Sequence, residues 1–159
     1  MFEPIPEHDA IARQIVDSAF AVHTTLGPGL LESVYEVCLA CELAARDILV
    51  QRQVVLPVTY RNIRVDAGFR MDMVVGGLVP VEIKAVEKML PIHEAQLLTY
   101  LKLSGYPMGL LINFNVILIK DGIKRLRSAE LLGVLVSWWF KSLDTNAARS
   151  RCDHSVSRG

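Results

Sequence analysis

One stretch, GFRMDMVVGGLVPVEIKA at residues 68–85, limits what this chain can fold into more than any other. Val74 and Val75 before Gly76–Gly77, and Leu78, Val79, Val81 and Ile83 after it, have the pattern of two buried strands joined by a tight turn. Asp72, Glu82 and Lys84 stand among them. An isolated buried charge costs on the order of several kcal/mol, so these three must satisfy one another or serve a ligand. Residues two apart on a strand share a face, so Glu82 and Lys84 project together. The turn decides where Asp72 points. A two-residue loop at Gly76–Gly77 pairs Asp72 with Val81 and turns Glu82 away. A three-residue loop, Gly76–Gly77–Leu78, pairs Val75 with Val79 and sets Asp72 opposite Glu82. Such loops use a left-handed residue, which glycine supplies without strain. A shared site therefore requires the odd-length loop or an equivalent bulge.

Two carboxylates beside one ammonium repel unless a proton or cation intervenes, and a hard ion such as Mg²⁺ takes oxygen ligands of this kind. The ion can acidify a bound water and polarise a phosphoryl oxygen, while a neighbouring lysine positions the water and offsets charge. The alternative is a buried ion pair with no role beyond the fold. Other polar groups favour a site. Glu32, in GPGLLESVYE, falls near the first turn of a helix, where a carboxylate suits the dipole. Gln96 and Tyr100 lie four apart on a helix and share a face, with His93 about one turn earlier.

Around this hairpin the sequence predicts a mixed α/β arrangement. Ile11, Ile15, Ala19, Val22 and Leu26 recur at helical spacing, and Gly27–Pro28–Gly29 stops that helix. A second helix is expected over residues 30–46, with Leu31, Val34 or Tyr35, Cys38 and Ala45 inward. Val54, Leu56 and Val58 alternate along a strand with Pro57 near an edge, and strands are expected at 63–75 and 78–85. Pro91 opens a helix that closes at Gly105, MGLLINF is a buried strand, and VILIKDGIKRLR suggests a hairpin turning at Asp121–Gly122. A last apolar helix is expected over 128–143 and a disordered polar tail over 144–159, making residues 1–143 one domain. The expected order is ααβββαβββα.

Other readings are weaker. Cys38 and Cys41 have metal-like spacing but no second pair, so core packing is the better account. HEAQL at 93–97 lacks the second histidine of a zinc protease, and Gly27–Pro28–Gly29 lacks the Gly-Lys-Ser/Thr of a phosphate loop. His23 suits a helix C-terminus. Trp138, Trp139 and Phe140 suit core or a homodimer contact through the apolar C-terminal helix more than base stacking. No apolar run reaches the ~18 residues of a membrane span, the N-terminus lacks a signal-peptide pattern, and three cysteines suit a reducing cytoplasm. The net charge is zero, so no global field points to a nucleic-acid partner.

Asp72 followed by Glu82–Ile83–Lys84 resembles the D-(E/D)-x-K signature of the PD-(D/E)XK nuclease superfamily, with Met71 where the superfamily's proline would stand. Gly29-x-x-Glu32-x-x-Tyr35 resembles the motif of the GxxExxY protein family, a branch of that superfamily, and VEIKAVEK, HEAQLLTYLKL, GLLINFN and KDGIKR resemble its companion phrases. The resemblance covers about residues 9–127. It implies a restriction-endonuclease-like core, a central mixed β-sheet flanked by α-helices, and a Mg²⁺- or Mn²⁺-dependent nuclease. That nuclease would hydrolyse phosphodiester bonds in one step, in DNA more than RNA. Asp72 and Glu82 would be the principal metal ligands, with the Ile83 carbonyl as an extra ligand and Glu32 completing the site. Lys84 would activate or position the water. Gln96 and Tyr100 would organise the site or contact the nucleic-acid backbone. Fold does not fix function, so a non-catalytic or partner-dependent binding module with the same fold is the rival.

Overall fold

The computed structural model describes residues 6–130. Helix α1 spans Pro6–Leu26 and α2 spans Glu32–Ala44. Strands β1 (Val50–Tyr60), β2 (Ile63–Val75) and β3 (Val79–Lys84) follow, then α3 (Pro91–Ser104) and β4 (Met108–Asn113). A single helical turn, α4 (Ile119–Gly122), leads into β5 (Ile123–Arg127) and a 3₁₀ turn at Ser128–Glu130. Of the helix expected over 128–143 only Ser128–Glu130, the 3₁₀ turn, are described; the rest of it, the Trp138–Phe140 cluster and the tail lie outside the described residues.

Among the described residues the sheet has five strands in the order β1-β2-β3-β4-β5. Only β3 and β4 pair in parallel, with α3 as their crossover; the other neighbours are antiparallel. Strand β3 is central, and five of its six residues are buried. One core packs Ile15, Ala19, Tyr35, Leu39 and Leu43 of α1 and α2 against Met73, Val75, Val81, Ile83, Leu110 and Ile112. The other packs Leu97, Leu98, Tyr100 and Leu101 of α3 against Leu56, Met71, Val74, Leu111 and Leu126. The result is the α/β core, a mixed sheet with flanking helices, that the resemblance implies.

Three expectations are corrected. Residues 116–127 form no hairpin. Asp121 and Gly122 belong to α4, and β5 pairs antiparallel with β4 instead of with a strand at 116–119. Gly122 is needed for a close approach, because a Cβ there would collide with the Asn113 carbonyl oxygen. On α2 the inward stripe is Tyr35, Leu39 and Leu43, while Leu31 and Ala45 are exposed. The helix begins two residues later than expected, so Leu31 is its N-cap and turns outward. Cys41 is exposed and does not join the core, whereas Cys38 is half-buried and packs against it. Pro57 does sit on the edge strand β1, where the β1–β2 register shifts between Leu56 and Val58.

Candidate functional site

The hairpin loop counts to three. Val75 pairs with Val79, Val74 with Pro80 and Met73 with Val81, so the register carries Asp72 opposite Glu82. Gly76 and Gly77 both have positive φ, 62° and 68°, and Leu78 N donates to Val75 O at 3.1 Å. The β2–β3 ladder ends at Met73 and Val81. Beyond it the Asp72 carboxylate replaces a backbone carbonyl, accepting from Ile83 N at 2.8 Å. In a strand the N–H and C=O of one residue point to the same neighbour, so the Ile83 carbonyl also faces the Asp72 side.

The same row is broken towards β1. Arg52 pairs with Met73 and Val54 with Met71, but Gln53 does not pair with Asp72. Gln53 has φ 53°, a left-handed conformation that a non-glycine residue holds only against strain. Glu36, buried on α2, holds both residues at the kink: Arg52 Nε donates to Oε1 at 2.9 Å and Gln53 Nε2 to Oε2 at 2.8 Å. Below the kink Val50 and Met73 pack towards α1 and α2; above it Val54 and Met71 pack towards α3. Asp72 therefore sits where the β1–β2 ribbon turns over, in a gap between strands.

Glu82 and Lys84 project from β3 on the face opposite Val81 and Ile83. Lys84 Nζ donates to Glu82 Oε1 at 2.8 Å, and both side chains are largely buried. Glu82 Oε2 is buried with no hydrogen-bond partner. Burial, then the nearby Asp72 charge, pushes the Glu82 carboxyl up to about 7. Burial also raises Asp72, opposed by its bond from Ile83 N and by Lys84. Burial works to lower Lys84, but the Glu82 hydrogen bond and charge outweigh it and raise the ammonium's pKa.

The helices bring the remaining candidates. Glu32 opens α2, and its Oε1 accepts from Ala85 N at 3.2 Å, bracing the backbone just after Lys84. Tyr35 fixes that helix start: its hydroxyl donates to Gly27 O at 2.6 Å and accepts from Leu30 N at 3.1 Å, while its ring stacks on Phe114. Gln96 Nε2 donates to the Tyr100 hydroxyl at 2.7 Å. Burial raises the Tyr100 pKa; the Gln96 bond opposes this and the Glu82 charge adds to it. His93 is turned away from this group, accepting at Nδ1 from Leu90 N and capping α3. His23 binds the Val116 carbonyl.

Asp72, Glu82, Lys84 and Tyr100 thus form one electrostatically coupled group, with Gln96 behind Tyr100 and Glu32 at the margin. Among the described residues no three His, Cys, Asp or Glu side chains are gathered as a ready-made metal cage. The donor set still fits a divalent cation: a buried carboxylate oxygen lacks a partner, and a second carboxylate and a strand carbonyl face the same gap. Glu36 and Gln53 were not expected. Glu36 lies four residues after Glu32, a same-face spacing visible in the sequence, whereas nothing marks Gln53 as left-handed. Asn113 was missed too; its buried amide accepts from Val86 N and donates to Val86 O, fixing the exit from Lys84.

With this geometry in place, the chain belongs to the PD-(D/E)XK nuclease superfamily, whose sequence pattern matches residues 9–126. Members are generally nucleases and usually use Mg²⁺ or Mn²⁺. No curated protein matches the chain. The solved structure of SSO0001 shares 20% identity with a TM-score of 0.41, covering 81% of this chain and 65% of that one. Among the described residues no helix is long and apolar enough to cross a membrane.

Proposed function

We propose that the chain is a Mg²⁺- or Mn²⁺-dependent nuclease of the GxxExxY branch, hydrolysing phosphodiester bonds in nucleic acid, with DNA as the preferred substrate. The observation that carries this reading is the orphaned Glu82 Oε2, buried beside Asp72 and Lys84 in a gap between strands. Asp72, Glu82 and the Ile83 carbonyl would hold the ion, with Glu32 completing the set. When bound, the ion supplies Lewis acidity and an acidified water. Lys84 stays an ammonium, so it can hold a water by hydrogen bonding and offset charge developing on the phosphate. Tyr100 stays protonated and, held by Gln96, can donate to a phosphate oxygen. Glu32 and Asn113 keep Lys84 and the turn after it in place.

The test is cleavage of labelled DNA and RNA, single- and double-stranded, with Mg²⁺ or Mn²⁺ and with EDTA. Divalent-dependent cleavage lost in Asp72→Ala and Lys84→Ala supports the reading; no cleavage of any form by wild type sinks it for the isolated chain. One observation favours the rival, a module that needs a partner to act. Glu82 already engages Lys84, and Glu32 is committed to Ala85 N, so the resting site is closed on itself. A stable heteromeric complex that gains activity would favour that reading.

A further inference from the structure

Most of the outer half of the β1–β2 ribbon covers neither core: of its described side chains only Leu56 is buried, in the α3-side core, and Val58 is half-buried. Strand β3 pairs with β2 from Met73 to Val75, so among the described residues Ile63–Arg70 have β1 as their sole strand neighbour. Every described side chain from Ile63 to Arg70 is exposed. The charge is concentrated there too. Residues 50–71 contain four arginines and one acid, while the rest of residues 1–119 contain five Lys/Arg and twelve Asp/Glu. Among the described residues Arg61 and Arg70 have no carboxylate partner, and Arg64 has only an exposed one, Asp66. By contrast, Lys124 and Arg125 on the opposite edge strand are paired with Glu94 and Asp9.

The tip adds a second, independent observation. Tyr60 pairs with Ile63, so Arg61 and Asn62 form a two-residue turn, and Arg61 has φ 51°. Glycine is the usual residue at that position, and an arginine there holds strain that the fold does not explain. Its guanidinium lies 5.6 Å from the centroid of the exposed Tyr60 ring. At the inner end Phe69 packs edge-on against Tyr100, so the arm leads directly into the Asp72 row.

We infer that this ribbon is a binding arm for duplex nucleic acid, with Arg61, Arg64 and Arg70 contacting phosphates on either side of a groove. The inference builds on the nuclease reading, since the arm would deliver the duplex to the Asp72–Glu82 site. A two-stranded ribbon fits the B-form major groove, about 12 Å wide, and side chains on its two faces can reach both walls. A single strand would instead stack on exposed rings such as Tyr60, so the comparison of duplex with single strand decides between the two. Strand addition by a second copy is disfavoured by Pro57 and the register shift on the edge strand.

The test is fluorescence anisotropy of labelled 30-base-pair DNA in EDTA, so that no cleavage is needed. The full chain is compared with Arg61→Ala/Arg64→Ala/Arg70→Ala and with Arg61→Lys/Arg64→Lys/Arg70→Lys, each checked by circular dichroism. The alanine variant should lose at least about tenfold in affinity and flatten the log–log salt slope by roughly 2–3, while the lysine variant keeps both. Wild type should bind duplex more tightly than single-stranded DNA of equal length. The inference is overturned if wild type does not bind duplex at low salt, if it prefers the single strand, or if the alanine variant binds like wild type. It is also overturned if the alanine variant changes only oligomeric state, which would make the arm a self-association surface. Arm-dependent binding without any cleavage would leave this inference standing and remove the nuclease reading; cleavage with arm-independent binding would do the reverse.

Discussion

The two faces of β3 are made from alternate residues of one six-residue strand, yet they do opposite work. Val81 and Ile83 enter the apolar core cluster beneath α1 and α2. Glu82 and Lys84, interleaved with them, turn towards α3 and meet Asp72 and Tyr100. A one-residue slip would exchange the two sets, so the apolar face fixes the register that brings the charged face together. The hydrophobic core thus sets the site's geometry, and the site costs the core nothing beyond one half of one strand.

Breaking each face separately should give opposite phenotypes. On the charged face, Asp72→Ala and Lys84→Ala should each lower divalent-dependent cleavage by at least about 10³-fold while the protein still folds cooperatively. If either variant cleaves within tenfold of wild type, that residue has no direct role. On the apolar face, Leu39 is fully buried, and Leu39→Ala should cost about 3 kcal/mol by chemical denaturation. Cleavage per folded molecule should survive. Parallel loss of stability and of activity in both variants would erase the distinction between the faces.

The apolar face was also the more legible one in the sequence. Alternation in VPVEIK and the 3.6-residue spacing of Ile15, Ala19 and Val22 give the elements directly, because burial imposes a period. The double glycine left two loop lengths open, and the sequence made the three-residue loop, or an equivalent bulge, the condition for a shared site, a condition the Val75–Val79 register meets. The hairpin at Asp121–Gly122 failed because Asp-Gly signals a turn only when both flanks are strands; here the glycine answers to Asn113 across the sheet. The Glu36–Gln53 brace was illegible for a different reason. It rests on a strained φ and a contact between a helix and an edge strand, and neither leaves a local pattern.

The charged face should also show its cost as a function of pH. Glu82 titrates near 7 in the folded chain against an ordinary value of 4.5, so the fold favours its protonated form. That contribution is complete below about pH 4.5 and is lost as pH rises through about 7. Metal-free wild type should therefore lose about 3 kcal/mol across that interval, with Asp72 acting in the same direction. Glu82→Gln, neutral throughout, should flatten the profile and be the more stable protein at pH 8, although it should not cleave. Identical denaturation profiles for the two proteins from pH 5 to pH 8 would mean that Glu82 is not held in its neutral form.

The smallest effect should come from the helix that bridges the site and the ribbon. Tyr100 offers a ring to the apolar cluster around α3 and a hydroxyl to the charged group, so its two contributions can be separated. Tyr100→Phe keeps the ring and its edge-on contact with Phe69 and removes only the hydroxyl held by Gln96. Stability should move by no more than about 1 kcal/mol, the size of one hydrogen bond. Cleavage should fall about tenfold, mostly in kcat if the hydroxyl donates to charge that develops during the reaction, and in KM if it only grips the ground-state phosphate. Gln96→Ala should reproduce the same split more weakly, because it loosens the hydroxyl without removing it. An unchanged rate in Tyr100→Phe, with full loss in Tyr100→Ala, would place Tyr100 with the apolar core and draw the boundary of the charged face at Glu82 and Lys84.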